Sequence, residues 1–233
     1  MKSKKKKLLI NISILSIILI MLLIFFNYLY KEDVTDYNDY SKLNLNNYNN
    51  LMIISHPGDE LLWASSHLIE DNYVVVCITC GSEKTKTEEF YESISSTNDQ
   101  YIILGYEEYK DNKRSNWSDI TSDLTNDLKE IISLKEWDTI VTHNPNGEYG
   151  HAQHKITSNI VTSITTNNLY YFGNYYNKKT IGNHTKHLVP ISQNNLNKKQ
   201  ELIGIYNSEL YFQTSFNHMF PYEELISYEE WGE

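Results

Sequence analysis

Leu51-Met52-Ile53-Ile54-Ser55-His56-Pro57-Gly58-Asp59-Glu60 is the stretch on which the reading of this chain turns. Residues 51–55 carry no charge and read as a buried strand, because a strand covered on both faces shows a continuous apolar run instead of an alternation. A helix is predicted over 59–70, with Leu61, Leu62, Ala64, Ser65 and Leu68 at helical spacing. One imidazole and two carboxylates therefore stand where a strand hands over to a helix. In parallel sheets that is the end at which ligands bind.

Outward from this unit the alternation repeats. Strands are predicted at 73–79, 101–104, 139–142 and 169–172. Helices are predicted at 88–98, 117–134 and 151–165. The 117–134 helix has Ile120, Leu124, Leu128, Ile131 and Ile132 on one stripe, with Asn116 or Ser118 as N-cap. A last helix is expected over 195–210, and 211–233 is aromatic and acidic without a readable period. The expectation is one α/β domain over 51–233. Its sheet is Rossmann-like and mostly parallel, with helices on both faces.

The flanks are of another kind. A basic cluster at 2–7 precedes the charge-free stretch 8–26, and apolar character runs on to Tyr30. About 20 apolar residues at ~1.5 Å rise span a hydrocarbon core of ~30 Å. A cleaved signal peptide fits less well, since its apolar region is usually ~7–15 residues long. Residues 1–30 are thus expected to hold one transmembrane helix with a cytoplasmic N-terminus, placing the domain on the extracytoplasmic or lumenal side. Residues 31–50, rich in Asn and Asp, read as a polar linker. Beyond residue 31 the chain holds 14 basic and 30 acidic residues, a net charge of −16, which argues against nucleic acid as a partner. Cys77 falls in the predicted 73–79 strand and Cys80 directly after it; at strand spacing residues three apart lie ~10 Å from each other, beyond the ~7 Å that a disulfide spans. They read as core residues, and bridging them requires a turn at Thr79.

A second motif follows the 139–142 strand: His143-Asn144-Pro145-Asn146-Gly147-Glu148-Tyr149-Gly150-His151-Ala152-Gln153-His154. His151 and His154, three apart on a helix's first turn, can face one point. Two imidazoles, one carboxylate and an open position for water make a common catalytic zinc set. His56, Asp59 and His154 can supply it, which leaves His151 free for chemistry. His143 is expected to lie beside the site, and His184 and His187 read as loop residues.

Taken together, His56-Pro57-Gly58-Asp59-Glu60 and Gly150-His151-Ala152-Gln153-His154 resemble the paired motifs of the PIG-L/LmbE-like N-acetylglucosaminyl deacetylases. The resemblance covers roughly residues 50–175. It implies a zinc (or other divalent metal) hydrolase acting on an N-acetylated amino-sugar glycoconjugate. It places the metal ligands at His56, Asp59 and His154, a histidine that polarises or protonates the tetrahedral intermediate at His151, an oxyanion-stabilising residue at Tyr149, and a ligand-orienting carboxylate at Glu60. The family motif reads His-Pro-Asp-Asp-Glu, and its first Asp is the general base. Gly58 stands at that position here, and Ala152-Gln153 stand where the family has Pro-Asp. Three readings stay open: Glu148 or Glu60 reaches the water, His151 serves as base and acid, or the domain binds metal and sugar without turnover.

Overall fold

The computed structural model describes residues 43–232, together with Ser16, Ile20 and Met21. Apart from these three residues, the transmembrane helix predicted within 1–30 lies outside the described residues, as does most of the linker predicted over 31–50. Among the described residues no helix is long and apolar enough to cross a membrane.

The elements in order are β1 (Asn50–Ile54), α1 (Asp59–Glu70), β2 (Tyr73–Cys77), α2 (Lys84–Ser95), β3 (Gln100–Ile103), a short hairpin of β4 (Tyr109–Lys110) and β5 (Lys113–Arg114), α3 (Thr121–Ile132), β6 (Thr139–Thr142), α4 (Ala152–Ile164), β7 (Leu169–Phe172), α5 (Gln193–Ile203), β8 (Leu225–Ser227) and α6 (Tyr228–Trp231). The main sheet runs β3-β2-β1-β6-β7-β8, with every pair parallel except β7–β8. The order reverses between β1 and β6, which is where a crevice opens at the carboxyl ends of such sheets. Ile53 pairs with Thr142, so His56 and His143 leave the sheet side by side.

β1 and β2 are buried almost throughout, as their continuous apolar runs require. One layer of the core gathers Leu51, Ile53, Val74 and Val76 from the sheet against Leu124, Leu128 and Ile131 of α3. Leu43, Leu45 and Tyr48 pack against the same cluster, so the last residues of the expected linker belong to the folded body.

Three local expectations are corrected. β2 stops at Cys77, the chain turns at Thr79 (φ −102°, ψ −3°), and Cys77 and Cys80 form a disulfide across a Cα separation of 5.7 Å. The turned end docks on β1: Ile78 N donates to Ile54 O, and both Thr79 N and Thr79 Oγ1 donate to Ser55 O. The strand spacing assumed for the cysteines therefore does not hold past Cys77. Second, α3 begins at Thr121, because Trp117 takes a left-handed φ of 55° and Asn116 Oδ1 accepts from Ser118 N in a local turn instead of capping the helix. Third, β8 joins as an antiparallel edge strand from a region without a readable period.

α1 carries the first motif and bends at Ala64 (φ −151°, ψ 30°). The bend frees Ser65 N and Ser66 N, and both donate to the Glu223 carboxylate at 3.1 and 2.8 Å. It also frees Leu62 O, which accepts from Lys199 Nζ at 2.9 Å, while Lys199 pairs with Glu223 at 2.7 Å. A buried ion pair from the C-terminal third thus fills the gap in the ladder, a recognised cause of helix kinks.

Candidate metal centre

β1 delivers His56, the turn at Pro57-Gly58 delivers Asp59 to the start of α1, and the first turn of α4 delivers His154. His56 Nδ1 lies 3.1 Å from His154 Nε2 and 3.2 Å from Asp59 Oδ2, and His154 Nε2 lies 3.4 Å from Asp59 Oδ2. Bonds of ~2.0–2.1 Å in a tetrahedron put ligand atoms about 3.3–3.4 Å apart. The three atoms therefore form a face of the size that zinc occupies.

Hydrogen bonds around this face determine which ring nitrogens are free. Gln153 Nε2 donates to Glu108 O and Ser115 O, both at 3.0 Å. Carbonyls need a donor, so the side-chain oxygen of Gln153 is the atom that meets His56 Nε2 at 2.8 Å. That oxygen only accepts. His56 therefore carries its proton on Nε2 and keeps the Nδ1 lone pair for the centre. Gln153 thus still orients a histidine, although it is not the acid that the family motif has there.

His154 Nδ1 meets Glu148 Oε2 at 2.5 Å, which turns Nε2 towards Asp59. Burial lowers the His154 pKa, but Asp59 and Glu148 outweigh it and raise it to about 9. A cation arriving at Nε2 would displace a proton there. Burial raises the two carboxylates, and their imidazole partners reverse this. His154 and His143 hold Asp59 well below its ordinary range, and the same rings hold Glu148 at about 2.

Two further groupings, His56–His151–His154 and Asp59–His143–His154, also bring metal-ligating atoms close together, and His143 in the latter has Nε2 3.4 Å from Asp59 Oδ2. Its Nε2 accepts from Ser55 N at 2.9 Å, and its Nδ1 faces Glu148 Oε2 at 3.1 Å. Both nitrogens therefore already have partners, on the Ser55 backbone and on Glu148. Glu148 bridges His143 and His154 while accepting from Asn144 N at 2.9 Å, which leaves it unsuited to serve as a free base.

His151 sits against the cluster, its ring centroid 4.7 Å from that of His56 and 4.2 Å from that of His154. Burial and the neighbouring rings of His154 and His56 press its pKa down to about 2, and its buried Nδ1 has no partner. Tyr149 stacks edge-on to His151 and His154, and burial and the nearby Asp59 and Glu148 carboxylates raise its pKa. The Glu60 carboxylate accepts from Gly58 N at 2.8 Å, Tyr206 hydroxyl at 2.6 Å and Ser93 hydroxyl at 3.4 Å, none of them a metal-ligand candidate. A cavity of about 340 Å³ adjoins His151 and Tyr149 and is walled by Glu108, Arg114, Tyr211 and Phe216. His184 stacks on Tyr176 in a separate loop.

Residues 51–165 match the PIG-L family, described as GlcNAc-PI de-N-acetylase. This stretch is a PIG-L domain. Among curated proteins, the uncharacterized protein L374 of Acanthamoeba polyphaga mimivirus is 38% identical over 148 residues, covering 56% of this chain and 63% of that protein. The chain therefore spans less than two thirds of the relative's length. The PIG-L match ends before Lys199, Tyr206, Phe212 and Glu223, although each of these touches α1 or the loop that precedes it.

The departure at residue 58 has a structural counterpart. Gly58 takes φ 93°, and a Cβ placed on it would lie 2.1 Å from the ring of Phe212. A side chain at 58 is thus opposed both by the left-handed backbone and by an aromatic ring. Sequence reasoning missed Phe212 because it lies 154 residues further on, in a stretch without periodicity.

Proposed function

We propose that the chain is a zinc-dependent hydrolase that removes the N-acetyl group from an N-acetylglucosamine-type sugar on a lipid-linked or surface glycan. The carrying observation is the face formed by His56 Nδ1, Asp59 Oδ2 and His154 Nε2, with the far nitrogen of each ring held by Gln153 or Glu148. These three residues would hold the cation. When bound, it supplies Lewis-acid polarisation of the amide carbonyl and makes the attacking water more acidic. His56 is held by Gln153 and His154 by Glu148, so neither ring needs to reorganise. His151, neutral at pH 7, lines the same pocket and can hydrogen-bond the substrate amide there. Tyr149 offers a hydroxyl donor to charge developing on the carbonyl oxygen.

The charge-free stretch 8–26 behind a lysine cluster supports a membrane anchor with the domain outside the cytoplasm, close to lipid-linked glycans. A second reading, a metal- and glycan-binding module that turns over poorly, is favoured by Gly58 and the ring of Phe212. The test is zinc binding together with acetate release from N-acetylglucosaminides, wild type beside Asp59→Ala. The hydrolase reading predicts one zinc and measurable acetate release, both lost in Asp59→Ala. Zinc binding without acetate release would favour the module.

A further inference from the structure

We infer that Phe212 governs the base side of the centre: its ring fills the space that a side chain at position 58 would need, and so keeps a carboxylate from standing between His56 and Asp59. The inference rests on the hydrolase reading for its catalytic consequence, and its packing part stands alone.

Position 58 follows the candidate ligand His56 by two residues and directly precedes the candidate ligand Asp59. The three closest atoms to a Cβ at Gly58 all belong to Phe212, at 2.1, 2.6 and 3.3 Å. Real Cβ atoms do not tolerate the first two, and the ring cannot swing aside freely, because it is 2% exposed and packed against Tyr206 and Tyr211. The segment that carries it is tied down next to the motif at two points. Tyr206 donates its hydroxyl to Glu60, whose other oxygen accepts from Gly58 N. Ser208 donates through N–H (2.9 Å) and hydroxyl to Glu89 of α2. Tyr211 and Phe216 of the same segment wall the cavity beside His151. Glycine at 58 and phenylalanine at 212 are therefore complementary, and a change at 58 alone meets an occupied space.

A double-mutant cycle tests this on the zinc-loaded chain: wild type, Gly58→Asp, Phe212→Ala and the pair. Each variant is read for bound zinc, Tm and acetate release from an N-acetylglucosaminide. The expected result is a marked Tm loss in each single variant and a loss in the pair well below the sum of the two. Acetate release should rise in the pair alone, by at least about tenfold against the ~10²–10⁴ that a positioned base contributes. Additive Tm losses would overturn the packing claim. A pair that binds zinc yet releases acetate no faster than wild type would overturn the catalytic one. Absence of zinc from wild type would instead defeat the hydrolase reading, leaving the packing claim to be judged on Tm.

Discussion

Two walls of one pocket are built on opposite principles. On the metal side, each ring and carboxylate has a fixed partner: Gln153 for His56, Glu148 for His154, His56 N for Asp59 Oδ2. On the base side there is an unpartnered His151 Nδ1, a left-handed glycine and an aromatic ring. Candidate ligands are held by hydrogen bonds, whereas the place beside Asp59 is filled by packing. The second wall thus draws on chain that the first does not: the first lies within the PIG-L match, whereas Phe212 lies beyond it.

The contrast is broken most severely by removing a ligand. Asp59→Ala is expected to abolish zinc binding in calorimetry, and retained micromolar binding would disprove the assigned face. Next comes Gly58→Asp, which should destabilise the fold by about 2–4 kcal/mol through overpacking and left-handed strain. Denaturant unfolding measures this, and an unchanged midpoint would mean that the ring yields easily. Glu148→Gln leaves the three ligands but loses the charge that orients His154, so zinc affinity should fall by ~10–100-fold. Gln153→Leu removes the partner of His56 and both hydrogen bonds to the hairpin base; a drop near ~10-fold is expected. If affinity stays level, the rings are held by packing alone.

The smallest effect comes from the opposite end of the sheet and separates global pH effects from those of the pocket. Asp99 accepts from Tyr73 N at 2.7 Å, but its Oδ2 is buried without a partner, and burial pushes its carboxyl up to about 7. An unfolded Asp ionises near ~4, so between about pH 4 and 7 the unfolded chain releases a proton that the fold retains. Stability should fall across that window by something on the order of 1–3 kcal/mol, and Asp99→Asn should flatten the fall. A wild-type profile without that slope would mean that Asp99 ionises normally.

The sheet and the metal face were legible because they depend on local signals. Buried strands announce themselves as runs such as 51–55 and 73–77, and His56, Asp59 and His154 sit at strand ends and first helical turns, where side-chain direction follows from the backbone. The partners of Glu60 were not legible, because Tyr206 and Ser93 come from distant stretches of chain. The cysteine pair was misread because strand geometry was extended two residues past the true end of β2. The C-terminal third stayed opaque for a related reason: Lys199, Glu223 and Phe212 have meaning only against the bend in α1 and the turn at Gly58, and neither is periodic.

The most direct single test is a crystal structure of the zinc-loaded chain. The account predicts one zinc held by His56 Nδ1, Asp59 Oδ2 and His154 Nε2, with His143 still accepting from Ser55 N and the Phe212 ring against Gly58. Zinc bound through His143 Nε2, or a Phe212 ring displaced to admit another base, would contradict it.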